Sequence, residues 1–185
     1  MKLRTVLIAL MLLSAVPAFS QSQPWKKQIA LDANLSIPGG EFADLAGLEM
    51  GFGGTAAFYY QLLTRVTFLS VSLGYNDLSF EGSSNAKYTV IPLLIGARYN
   101  FALTGFQPYV GFEFGAYFQS VSTSDGQISL TESETNVGFQ PKVGFRFPLS
   151  PGLDFDASLK YHLILRENES FSMISPGIGI AYTID

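Results

Sequence analysis

Tyr88-Thr-Val-Ile-Pro-Leu-Leu-Ile-Gly-Ala-Arg-Tyr-Asn-Phe-Ala-Leu-Thr-Gly-Phe-Gln-Pro-Tyr-Val-Gly-Phe-Glu-Phe-Gly-Ala-Tyr-Phe118 reads as two strands joined by the short polar turn Leu103-Thr104-Gly105. On the first strand Ile91, Leu93, Ile95, Ala97, Tyr99 and Phe101 share one phase, and Val90, Pro92, Leu94, Gly96, Arg98 and Asn100 share the other. The returning strand sets Val110, Phe112, Phe114, Ala116 and Phe118 against Tyr109, Gly111, Glu113, Gly115 and Tyr117. Side chains that alternate with period two belong to strands. A soluble sandwich would also alternate, but its water-facing side would carry Lys, Glu and Thr. Glycine with isolated charges instead suits the crowded inside of a narrow closed barrel, which leaves the apolar phase to touch lipid.

The chain has 185 residues, enough for one domain of ordinary size; it is 48% hydrophobic and 14% charged, with a net charge of -4. This mildly acidic balance offers no basic footprint for nucleic acid. Residues Met1 to Ser20 combine Lys2 and Arg4, an apolar run from Val6 to Val16, and small Ala18 and Ser20 around Phe19. They read as a signal peptide cleaved before Gln21, the run being shorter than the ~20 residues a spanning helix needs. The division is thus 1–20 signal peptide and 21–185 barrel domain. With no cysteine there is neither a disulfide framework nor a lipid-acceptor thiol after the signal.

Taken in order, the strands are expected at 29–37, 48–61, 66–80, 89–101, 108–118, 136–147, 153–165 and 171–184. Eight is an even number, as an antiparallel up-and-down transmembrane β-barrel requires to close. The connections at 62–64, 103–106 and 148–152 are short, and those at 38–46, 81–87, 120–134 and 166–170 are longer and polar. That alternation separates a periplasmic side from an outer side. Tyr60, Tyr99, Phe101, Phe147 and Tyr182 fall near the short turns, and Tyr75, Phe118 and Phe171 toward the long loops, the depths of the two lipid headgroup layers. Pro92, Pro141 and Pro176 interrupt strands, each deleting a ladder donor, and bulges are expected there.

On the inner phase lie Asp32, Glu49, Arg98, Glu113, Lys142, Arg146, Asp154, Asp156, Lys160 and His162. Both signs are present, so these groups can pair in a dry interior where a lone charge is costly. The leading expectation is a polar network of paired charges that plugs a non-enzymatic barrel. A narrow pore for small solutes, lined by the same residues, is the alternative. A soluble exported barrel of lipocalin type, binding a ligand inside, is a third. A catalytic reading would need partners for His162; Ser158 and Glu113 are candidates, but lipid A deacylase barrels pair a closely spaced His and Ser near the rim, and Ile164 stands two residues after this His. One His and no Cys supply no metal set, and Gly51-Phe-Gly-Gly54 is no phosphate loop, so no cofactor is expected.

The runs Ile91 to Phe101 and Pro108 to Phe118 resemble the small outer-membrane β-barrel domain proteins, the OmpA/OmpX-like and OmpW-like "porin family" barrels of the Bacteroidota type. The resemblance implies residence in the bacterial outer membrane, contact with its lipid, and delivery by the barrel-assembly machinery. It also implies roles ranging over envelope integrity, adhesion through the outer loops and small-solute passage, with no shared catalytic residues. Such barrels often finish in an aromatic residue used for assembly recognition, whereas this chain ends Ala181-Tyr-Thr-Ile-Asp185, with Tyr182 in a shifted position.

Overall fold

The computed structural model describes residues 26–62, 66–124, 129–166 and 170–184. The expected signal peptide, most of the expected turn at 62–64, residues 125–128 of the expected loop at 120–134 and residues 167–169 of that at 166–170 lie outside them. Eight strands follow one another: β1 (Lys27–Gly39), β2 (Leu48–Gln61), β3 (Thr67–Phe80), β4 (Ser83–Asn100), β5 (Gln107–Ser124), β6 (Ser129–Ser150), β7 (Leu153–Leu165) and β8 (Ser170–Ile184). Each pairs antiparallel with its neighbour in sequence, and β1 pairs with β8 to close the barrel. Closure removes the sheet edges that hydrocarbon could not solvate.

Exposure confirms which face meets lipid. Phe112, Leu159 and Ile178 are 50%, 47% and 62% exposed, while Glu113 and Lys142 are 0% and 5% exposed. A water-soluble barrel with a greasy ligand cavity needs the opposite arrangement, so the lipocalin reading is withdrawn. Tyr60, Tyr75, Tyr99, Phe101, Phe118, Phe147 and Tyr182 all stand outside, at the two ends of the apolar band. Phe171 does not: it is fully buried, packed against Tyr88 in the barrel interior. Ile174 points outward, so a residue three positions earlier must point inward.

The polar stretch 120–134, expected as a loop, is mostly strand. β5 continues to Ser124 and β6 begins at Ser129, paired to each other throughout. A spanning strand needs only ~9–11 residues, so the 18 of β5 and 22 of β6 carry this hairpin well beyond the bilayer. Likewise 81–87 contracts to a tight turn, with Phe80 opposite Ser83. The loop at 38–46 contains a short helix, α1 (Glu41–Ala46), closed by Gly47 at φ 63°, the left-handed geometry a helix end often takes on glycine.

The prolines do not mark bulges. Pro92 sits opposite Tyr117, Pro141 opposite Phe112 and Pro176 opposite Leu159 in unbroken register. On the other flank of each, the ladder skips two residues and resumes unshifted, at 74–75, 140–141 and 35–36 on the strands concerned. A missing donor thus opens one ladder locally while the closed sheet holds the register. The described register shifts lie elsewhere, at Glu49/Phe52, Ser79/Phe80 and Pro148/Ser150. The first of these corrects Glu49: the bulge breaks the alternation, and Glu49 is exposed at the outer end of β2.

Candidate functional site

Glycine on the inner phase decides how side chains cross the barrel. Ser70, Gly96, Glu113 and Gln140 form one lateral row across β3, β4, β5 and β6. A Cβ on Gly96 would lie 2.7 Å from Cγ of Glu113. Because it is absent, the carboxylate reaches over β4 to the second strand away. There Ser70 Oγ donates to Oε1 at 2.7 Å and Ser72 Oγ to Oε2 at 2.9 Å. From the opposite side Lys142 Nζ donates to Oε1 at 2.5 Å and Gln140 Nε2 to Oε2 at 2.8 Å. Four donors on a fully buried carboxylate satisfy it as a charge in a low-dielectric interior must be satisfied.

The same device recurs with aromatic rings. Tyr109 lies across Gly144, where a Cβ would meet its ring at 2.5 Å, and its hydroxyl donates to Asp156 Oδ1 at 2.8 Å. Tyr117 lies across Gly138, and its hydroxyl is 3.1 Å from Nδ1 of His162. That contact gives His162 a structural partner in a tyrosine.

Below Glu113, toward the short-turn end, Arg146 Nε donates to Asp156 Oδ2 at 2.5 Å and its Nη1 to Gln28 Oε1 at 2.6 Å. Arg98 Nη2 donates to that same amide oxygen at 2.7 Å. The Arg98 guanidinium is boxed by rings, 4.0 Å from the centroid of Tyr59, 4.7 Å from Phe68 and 5.4 Å from Tyr109. A third ion pair joins Lys160 Nζ to Asp32 Oδ1 at 2.6 Å, with Thr55 Oγ1 accepting a second bond at 2.8 Å. A small enclosed space of about 10 Å³ lies among Tyr59, Tyr109, Glu113, Lys142 and Asp156, room for about one water.

The structure thus gathers Asp32, Arg98, Glu113, Lys142, Arg146, Asp156, Lys160 and His162 inside the barrel. Asp154, on the same phase as Asp156, is half-exposed at the short-turn rim, and Glu49 is outside the interior. Sequence reading missed the apolar seal above the charges. Leu78, Val90, Leu94, Ile164, Phe171 and Met173 cluster with Tyr88 and Tyr117 toward the outer end, capped by Ala43 of α1. Their signal was positional, since each shares a strand phase with inner glycines or charges. A smaller apolar group, Ala30, Ala57, Tyr59, Phe68 and Ala181, closes the other end. Among the described residues no three His, Asp or Glu side chains are grouped to hold a metal ion.

The fold has solved counterparts. Neisserial surface protein A superposes with a TM-score of 0.65 at 17% identity, covering 86% of this chain and 99% of that one. Ail, the attachment invasion locus protein of Yersinia pestis, gives 0.59 at 15% identity, covering 88% and 100%. A major outer membrane protein from Thermus thermophilus gives 0.54 at 15% identity, covering 85% and 99%. No curated protein matches the sequence. The family model for the outer membrane protein beta-barrel domain matches residues 6–182, nearly the whole chain. An eight-stranded closed barrel with a lipid-facing apolar wall, matched over almost its full length by that model, belongs to the outer membrane protein beta-barrel domain family and resides in the bacterial outer membrane.

Proposed function

We propose that this is a non-enzymatic barrel with a structural or surface-interaction role, its interior closed by paired charges rather than open to solutes. The observation that carries this reading is the Glu113–Lys142 pair of the neighbouring strands β5 and β6, buried on both sides beneath the apolar seal and tied over the interior to Ser70 and Ser72 of β3 and to Tyr59 of β2. An eight-stranded barrel leaves space only for side chains or one small ligand, and here side chains take it. The narrow-pore reading would require both the seal and the ion pair to move. Residues 1–20 serve as the export signal, and the barrel-assembly machinery reads the C-terminal strand, with Tyr182 the aromatic nearest its end.

The surface role rests on the β5–β6 hairpin and its neighbours. Ail has been solved in complex with the heparin analogue sucrose octasulfate, a polyanion. At the outer end of this chain Glu49, Glu81 and Glu132 are exposed, while Glu134 is paired with Arg166 and the exposed Lys87 with Asp77, so the remaining charge suits a cationic partner instead. Planar-bilayer recording of the purified protein tests the closed interior. The expected result is no conductance steps above the lipid baseline; reproducible steps at neutral pH would overturn the plug and favour the pore.

A further inference from the structure

The interior charges do not cancel among the described residues. Glu113 is matched by Lys142, Asp156 by Arg146 and Asp32 by Lys160. Arg98 is the fourth cation, 0% exposed, with no carboxylate bonded to it. Nε and Nη1 of Arg98 and Nη2 of Arg146 are buried N–H groups without a hydrogen-bond acceptor, and Asn100 Oδ1, two residues from Arg98 on the same face of β4, is a buried acceptor without a donor. The two guanidiniums instead converge on one neutral oxygen, Gln28 Oε1, at 2.7 and 2.6 Å. Two like charges sharing a single amide acceptor, with only Asp156 between them and three donors left over, are one negative charge short. The rings of Tyr59, Phe68 and Tyr109 compensate in part by covering Arg98. Asp154, the remaining inner-phase carboxylate at this end, is half-exposed to solvent and two residues nearer the rim than Asp156.

We infer that Arg98 and Arg146 together hold a small monovalent anion of halide size at the short-turn end of the barrel. The unsatisfied donors on both side chains supply its hydrogen bonds, and its charge balances Arg98. The size follows from the packing. Gln28, Asn100 and Gln107 are themselves buried around the two arginines, so a phosphate or an organic carboxylate would need the strands to part.

The test uses the full mature chain folded in detergent, with bromide and chloride as probes. Crystals grown in bromide should show an anomalous peak within hydrogen-bond distance of Arg98 and Arg146. At constant ionic strength, exchanging bulky gluconate for chloride should raise the melting temperature, followed by the gel shift of the folded barrel, as expected for a ligand that binds only the native state. Gln28→Glu places a carboxylate where both guanidiniums already point. This variant should melt higher than the parent and lose its response to chloride, so no arginine variant that fails to fold is needed. The anion site is overturned by water alone at that position in bromide crystals, by no chloride response in the parent, or by an equal response in Gln28→Glu. None of these outcomes bears on whether the barrel conducts, so the plug reading is tested separately.

Discussion

Glu113 of β5 and Lys142 of β6 meet at 2.5 Å with side-chain exposures of 0% and 4%, although they are diagonal rather than directly opposed on the paired strands. Lys142 faces Gly111 in the register, and Glu113 faces Gln140. The empty glycine position gives the lysine chain room to lean toward the carboxylate, since a Cβ on Gly111 would lie 2.8 Å from Lys142 Cε.

Removing one partner should therefore cost more than removing both. Glu113→Ala leaves Lys142 buried without its counter-charge and should destabilise the barrel by about 3–5 kcal/mol. Replacing both with apolar residues, Glu113→Leu with Lys142→Met, should cost clearly less than the two single changes added together. Urea unfolding of the folded barrel in lipid vesicles, arranged as a double-mutant cycle, measures the difference.

Gly96 makes a second, steric prediction. Its missing Cβ lies where it would meet Phe112 O at 2.1 Å and Glu113 Cγ at 2.7 Å. The first clash is with backbone and cannot relax without bending β5. Gly96→Ala should therefore lower the folded yield and stability by at least the ~1–3 kcal/mol typical of overpacking. Gly82, whose Cβ would meet nothing within 4 Å, sits at φ 71°, so Gly82→Asn is the matched control and should fold near parental yield. Refolding into vesicles, scored by the gel shift, compares the two.

Lipid exposure makes a third. Leu159 faces outward near the middle of β7, whereas Glu132 is exposed in the hairpin beyond the bilayer. Leu159→Arg should cost roughly 2–4 kcal/mol, the cost of arginine near the bilayer midplane. Glu132→Arg should fall within about 0.5 kcal/mol of the parent, as surface changes do. Equal effects at the two sites would contradict the placement of the membrane.

The barrel was legible because lipid demands an unbroken apolar face. Along β7 the alternation runs to the strand ends, and the expected limits 153–165 match the observed ones; the limits of β2, 48–61, match too, although a bulge breaks its phase near Glu49. Between 120 and 134 the signal failed for a physical reason: beyond the bilayer neither face touches hydrocarbon, so polar residues occupy both while the backbone continues to pair. Phe171 was misplaced because aromatic residues favour the headgroup layer, yet strand parity alone turns it inward. Glu49 followed its parity until a bulge interrupted it.

The interior was legible as a set of residues and not as a set of bonds. That Arg98, Glu113 and Lys142 point inward follows from period two. That Glu113 reaches Ser70 across Gly96, while Arg98 shares Gln28 with Arg146, depends on the stagger of the closed sheet. Sequence spacing carries no record of that stagger.

The side on which the Phe, Leu and Ile residues lie is tested most directly by spin labelling along β5. The parent has no cysteine, so single cysteines can be introduced one at a time from Val110 to Phe118 and labelled with a nitroxide after reconstitution in lipid. Collision with lipid-soluble oxygen should be high at 110, 112, 114, 116 and 118, and either collision or folded yield should be low at 111, 113, 115 and 117, where a label enters the packed interior. The reverse alternation, or no alternation, would place the apolar phase inside and contradict a lipid-facing wall around a charged core.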